Sequence, residues 1–147
     1  MKYQKLKELK DKADKLKRLE NIFIVLVIAF LILLPVPCFG PTYLIAPFIA
    51  GNLIVTCLLC VLTIVLRFNL CKCYELKEDY IVVKVMDIIS NNISNPNGFE
   101  WVKDEYGDYV VGFRNQTVDY DKLESIIKPE LDEMNKIADM SIKVKLI

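Results

Sequence analysis

At 147 residues the chain has room for one helical hairpin and one small domain, and its 19 basic and 19 acidic residues cancel to zero net charge. It contains no histidine, which excludes Ser-His-Asp and Cys-His catalysis. The five cysteines, Cys38, Cys57, Cys60, Cys71 and Cys73, all precede the C-terminal half, which excludes a disulfide framework there.

The neutral total hides a polarised layout. Residues 1 to 20 carry eight basic and four acidic side chains, residues 67 to 77 three and one, and residues 78 to 147 eight and fourteen. The segment 1–20 reads as a basic amphipathic helix. Leu6, Leu9, Ala13 and Leu16 are spaced as a short coiled-coil stripe. The pairs Glu8 with Lys12, Asp11 with Lys15 and Asp14 with Arg18 each support a helix by roughly 0.2–0.5 kcal/mol. Three uses of this arm stay open: lying on an anionic membrane surface, packing against its own copies or the C-terminal domain, or simply fixing topology.

From Ile22 to Leu66 no side chain is charged. That run is long enough for two helices of roughly 20 residues across a bilayer. Pro35, Pro37, Gly40 and Pro41 interrupt it near the middle. The sequence therefore predicts a transmembrane hairpin over 21–66, with the N-terminal helix continuous into the first span. Basic residues at both ends of the hairpin put both termini in the cytoplasm and the connecting turn outside, as a multi-pass protein of the inner (plasma) membrane.

The first span is apolar after Asn21, whereas the second carries Asn52, Thr56, Cys60 and Thr63, then Arg67. At about 100° per residue all five fall within an arc of about 80°. Polar groups in a bilayer face protein or water. The face therefore glues helices together, or lines a pore in a homo-oligomer with Arg67 at its inner mouth, or holds threonines bonded to their own backbone. Cys57/Cys60 and Cys71/Cys73 lie too far apart along the helix to share a zinc ion, and no metal or other cofactor is expected.

Residues 67–77 form a juxtamembrane linker, and 78–147 a cytoplasmic α+β domain in the order α-β-β-α-β. Ile81, Val85, Ile88 or Ile89 and Ile93 mark one side of a helix. Asn95-Pro96-Asn97-Gly98 is a turn. FEWVKD and YVVGFRN alternate as a β-hairpin around Glu105-Tyr106-Gly107-Asp108. Thr117 or Asp119 caps a helix from about Tyr120, which Pro129 should kink or divide, and SIKVKLI alternates as a third strand. Trp101, Lys103, Tyr109, Phe113 and Arg114 are candidates to stack a small nucleotide or short nucleic acid. The competing role is a hairpin core, and the domain's acidic balance opposes bulk phosphate attraction. A partner protein is the other candidate ligand. The sequons Asn92-Ile93-Ser94 and Asn115-Gln116-Thr117 fall on the cytoplasmic side and should be silent.

No glycine-rich phosphate loop or carboxylate cluster points to an enzyme. In layout, over the whole chain, the sequence resembles the small two-pass membrane effectors of bacterial anti-phage systems. The resemblance implies a pore or channel gated through the cytoplasmic domain, in an antiviral role. The alternative is a non-conducting anchor or scaffold presenting an interaction domain.

Overall fold

The computed structural model describes residues 3–33, 42–114 and 117–147. Its elements are α1 (Gln4–Leu33), α2 (Thr42–Asn92), β1 (Phe99–Lys103), β2 (Tyr109–Phe113), α3 (Tyr120–Ala138) and β3 (Val144–Leu146). The chain divides into two compact units, Asp11–Tyr74, and Met1–Lys10 together with Glu75–Ile147. The proline-rich break with Cys38, and the second sequon at Asn115, lie outside the described residues.

The expected two-span hairpin is corrected. Among the described residues only α2, over Ala46–Asn92, is long and apolar enough to cross a membrane. The uncharged part of α1 runs from Asn21 to Leu33, about 13 residues and so roughly 20 Å, against the roughly 30 Å of a bilayer core. Counting uncharged residues gave enough for two spans in total, whereas the share that falls on α1 is too short for one. The 51 residues of α2 continue without interruption through the expected linker at 67–77. Nothing between Leu66 and Asn92 breaks a helix: the stretch has neither proline nor glycine.

In the Asp11–Tyr74 unit, burial follows a heptad on both helices. On α2 the covered or half-covered positions are Ile49, Asn52, Thr56, Leu59, Thr63, Leu66, Leu70 and Cys73. On α1 they are Ala13, Leu16, Glu20, Phe23, Val27 and Phe30. Alternating steps of three and four are the spacing of an antiparallel coiled-coil seam. Two anchors fix its direction. Ala13 is buried with Leu70 and Cys73, and Glu20 reaches Arg67 at 4.0 Å. The other sides of both helices are apolar and exposed, as at Ile22, Val25 and Ile32 of α1 and Ile54, Leu58, Val61, Ile64 and Phe68 of α2.

The second unit is a two-layer α+β domain, compatible with the expected order of elements at that coarse level. β2 lies centrally, antiparallel to β1 and parallel to β3, so α3 is the crossover of a β-α-β unit. The β1–β2 turn is held locally. The Asp104 carboxylate accepts from the backbone N–H of Tyr106 and of Asp108, each at 2.9 Å, and Gly107 takes φ 84°. Asp119 caps α3 by accepting from the Lys122 N–H at 3.1 Å. Pro129 does not divide α3, which is one helix from Tyr120 to Ala138. The lost backbone hydrogen bond costs about 3 kcal/mol. It is offset by burial of Leu123, Ile127, Leu131, Met134 and Ala138 on one face.

The core of this unit joins those residues to Ile81, Val85 and Ile89 of α2, Val111 of β2 and Ile142. It also takes in Tyr3 and Leu6 from the first turns of α1. Tyr3 donates its hydroxyl proton to the Glu130 carboxylate. Packing against the C-terminal domain is thus the use of the arm's stripe at Leu6. Because Leu6 is fully buried, Leu6→Ala is expected to destabilise this unit by about 2–5 kcal/mol. Lys5→Ala, at an exposed position, should change stability by less than about 0.5 kcal/mol. Denaturant unfolding in detergent, followed by Trp101 fluorescence, measures both.

Candidate functional site

Two groups of polar residues in this chain are positioned by the fold, one on each unit. The first is the covered side of α2. Asn52 and Thr56 are both 7% exposed, one helical turn apart on the heptad seam. The Thr56 hydroxyl donates to the Asn52 backbone carbonyl at 2.8 Å and lies 3.2 Å from its side-chain Oδ1. Thr63, half-buried one heptad further on, donates to the Leu59 carbonyl at 2.8 Å. Both threonines thus close hydrogen bonds within their own helix.

The other expected members of that face lie elsewhere. Cys60 is exposed, as are Cys57 and Cys71, and Cys73 is buried. The Arg67 side chain is 76% exposed beside Glu20. The structure therefore brings Asn52, Thr56 and Thr63 onto one covered seam and leaves Cys60 and Arg67 off it.

The second group surrounds Tyr109 in the domain. Trp101 and Tyr109, on neighbouring strands, stack with centroids 5.1 Å apart. The Lys103 ammonium lies 5.3 Å from the Tyr109 ring centre. Both Lys103 and the Tyr109 hydroxyl donate to the carboxylate of Glu78 on α2. Phe113 belongs to a separate aromatic set, 6.5 Å from Phe99 and 5.7 Å, edge-on, from Tyr120. Arg114 is paired with Glu100. Of the five candidates, then, only Trp101, Lys103 and Tyr109 come together.

The Lys103 ammonium and the Tyr109 hydroxyl already have a partner in Glu78, and the space behind them against Ile81 and Val85 measures only about 10 Å³. A nucleotide needs a pocket of several hundred Å³. A larger groove, about 520 Å³, lies between α3 and β3 and is lined by Tyr120, Lys128, Leu131, Lys143, Val144 and Leu146 among others. β3 is an edge strand, paired on one side only, with β2.

Sequence reasoning missed two residues. Glu78 lies 25 and 31 positions from its partners, and no local pattern marks it. Lys77 is only 2% exposed and donates to the Ala138 carbonyl at 2.8 Å, so that a cation meets the C-terminal end of α3. Its position four residues past Cys73, on the heptad stripe, was the available signal. Among the described residues no group of three or more Cys, Asp or Glu side chains could hold a metal ion. Comparison with protein-family models, with curated proteins and with solved structures finds no match.

The electrostatics around Tyr109 set a pH window. Hydrogen bonds from Lys103 and then Tyr109 hold the Glu78 carboxyl below its ordinary value against the opposing effect of burial. The hydrogen bond to Glu78 raises Lys103. Burial, and then Glu78, raises Tyr109. A lowered acid stabilises above its unfolded pKa and loses that contribution as pH falls through its folded one. Raised Lys and Tyr groups contribute below their unfolded values and lose it as pH rises through their folded ones. The cluster should therefore be fully stabilising from about pH 5 to about pH 9 and weaken below about pH 4 and above about pH 10. In thermal unfolding against pH, Glu78→Gln is expected to flatten the acid limb and lower the neutral plateau. An unchanged acid limb would remove Glu78 from this role.

Proposed function

We propose that the protein is a non-conducting membrane anchor whose domain presents a docking surface to a partner protein. The observation that carries this reading is the burial of Asn52 and Thr56 on the covered side of α2, with the Thr56 hydroxyl bonded to Asn52. A pore lining needs polar atoms turned to water. A helix-pairing seam needs them covered and satisfied, and here the Thr56 hydroxyl is satisfied within α2 itself.

Two further features support it. The exposed sides of α1 from Ile22 to Leu33 and of α2 from Phe48 to Val65 are apolar surface of the kind lipid covers, and α2 has the length of a spanning helix. In the domain, a groove of about 520 Å³ lies between α3 and the edge strand β3. Such an edge suits an added peptide strand, whereas the Trp101 cluster is closed on itself.

Dye release from liposomes holding the full chain, beside its mass in detergent, tests the reading. Tight vesicles containing protein that resists alkaline carbonate extraction are expected. Asn52→Leu, which removes a polar seam residue, should leave the vesicles tight. Release of dye by a defined oligomer, abolished or altered by Asn52→Leu, would replace the anchor with a pore and return the seam to the role of a lining.

A further inference from the structure

We propose that Arg18, Arg67 and Lys72, with Lys15 and Lys17, form a collar that binds the headgroups of anionic phospholipids. The proposal rests on the membrane-anchor reading and gives that anchor its lipid partner. It starts from the Glu20–Arg67 pair at 4.0 Å. Glu20 is the last charged residue of α1 before its apolar stretch, and Arg67 is the first charged residue of α2 after its own. Their contact puts both polar-to-apolar boundaries at one level across the antiparallel pair. Two helices that leave water at the same height define an interface.

The charges next to that level are of one sign. At about 1.5 Å per residue, Lys15, Lys17 and Arg18 on α1 and Arg67 and Lys72 on α2 all fall within about 8 Å of it along the helix axes. Against these five cations stands one anion, Glu20. All five cations are at exposed positions. The Glu20 carboxylate is itself largely covered, its side chain only 11% exposed. A net +4 layer is thus presented outward, over a depth close to the Debye length at physiological ionic strength, about 8 Å.

The apolar side of the boundary is equally exposed. Leu19 is 44%, Ile22 56% and Phe68 69% exposed, so the cations adjoin a hydrocarbon-like surface. Phe68 stands next to Arg67, an aromatic ring at the level where such rings settle in bilayers. A soluble anion would satisfy the cations alone. A ligand with a negative head and apolar tails satisfies both surfaces at once, and that commits the collar to phospholipid.

The test uses the full chain purified in a neutral detergent. Phosphatidylglycerol or phosphatidylcholine is added, and bound lipids are counted by native mass spectrometry. Phosphatidylglycerol is expected to be retained at least fivefold over phosphatidylcholine. The preference should fall about fivefold for each cation removed in Arg67→Gln and Lys72→Gln, with circular dichroism unchanged. Lys122→Gln, at an exposed position on α3, should leave it intact. Equal retention of the two lipids, or a preference indifferent to both substitutions, overturns the collar. So does displacement of the lipid by soluble glycerol phosphate at the same concentration, which would make the ligand a free anion. Carbonate extraction separates this proposal from the reading beneath it. A chain stripped from membranes yet selective for phosphatidylglycerol keeps the collar and overturns the anchor, and a chain retained but unselective does the reverse.

Discussion

Burial along one side of α2 is the constraint on which the other elements depend. From Ile49 to Cys73 the covered strip is one residue wide, stepping by three and four, because in that unit one helix, α1, is there to cover it. From Ile81 to Ile89 the strip broadens, with Ile81, Val82, Val85 and Ile89 all buried. There the helix packs against α3, the sheet and the first turns of α1. One helix therefore serves as a coiled-coil strand over part of its length and as a core element over the rest. Its own sequence sets the change, from a strip where Asn52, Thr56, Thr63 and Cys73 are interspersed with leucines to a dense set of isoleucines and valines.

The polar residues on that strip are handled in three ways. Asn52, Thr56 and Thr63 are satisfied within the helix. Glu20 and Arg67 face each other across the pair. Lys77 is buried outright and held by a carbonyl at the end of α3. Burying an ammonium group is costly unless its donors are met. The Ala138 carbonyl meets it in a place where helix ends leave acceptors unpaired.

Much of the domain was legible in the sequence because its signals are local. The β1–β2 turn is written in Glu105-Tyr106-Gly107-Asp108, and the start of α3 in Thr117 or Asp119, of which Asp119 is the cap. The layout of the apolar half was not legible to the same degree. A run without charges tells where water is excluded, but not whether each helix in it is long enough to cross a bilayer, and among the described residues only α2 is. Pro129 misled for a different reason. The rule that proline breaks helices weighs one hydrogen bond, and here five buried side chains outweigh it. The grouping of Trp101, Lys103 and Tyr109 followed from strand alternation, whereas Glu78, which ties them down, arrives from a distant helix and left no trace in the local pattern.

The packing of Leu6 beside Ile81, Ile127 and Met134 makes the domain discontinuous in sequence. Its core is assembled from two stretches separated by the whole apolar region. The residues 75–147 taken alone would carry an open socket where Leu6 belongs, and a soluble fragment cut at that boundary would be a weaker protein than the domain it was meant to represent. A synthetic peptide of the first ten residues should restore what such a fragment lacks, by complementation. Contacts between positions so far apart also raise the contact order, and a chain that must hold back its first turns until α3 exists will fold more slowly than its small size and helical content suggest.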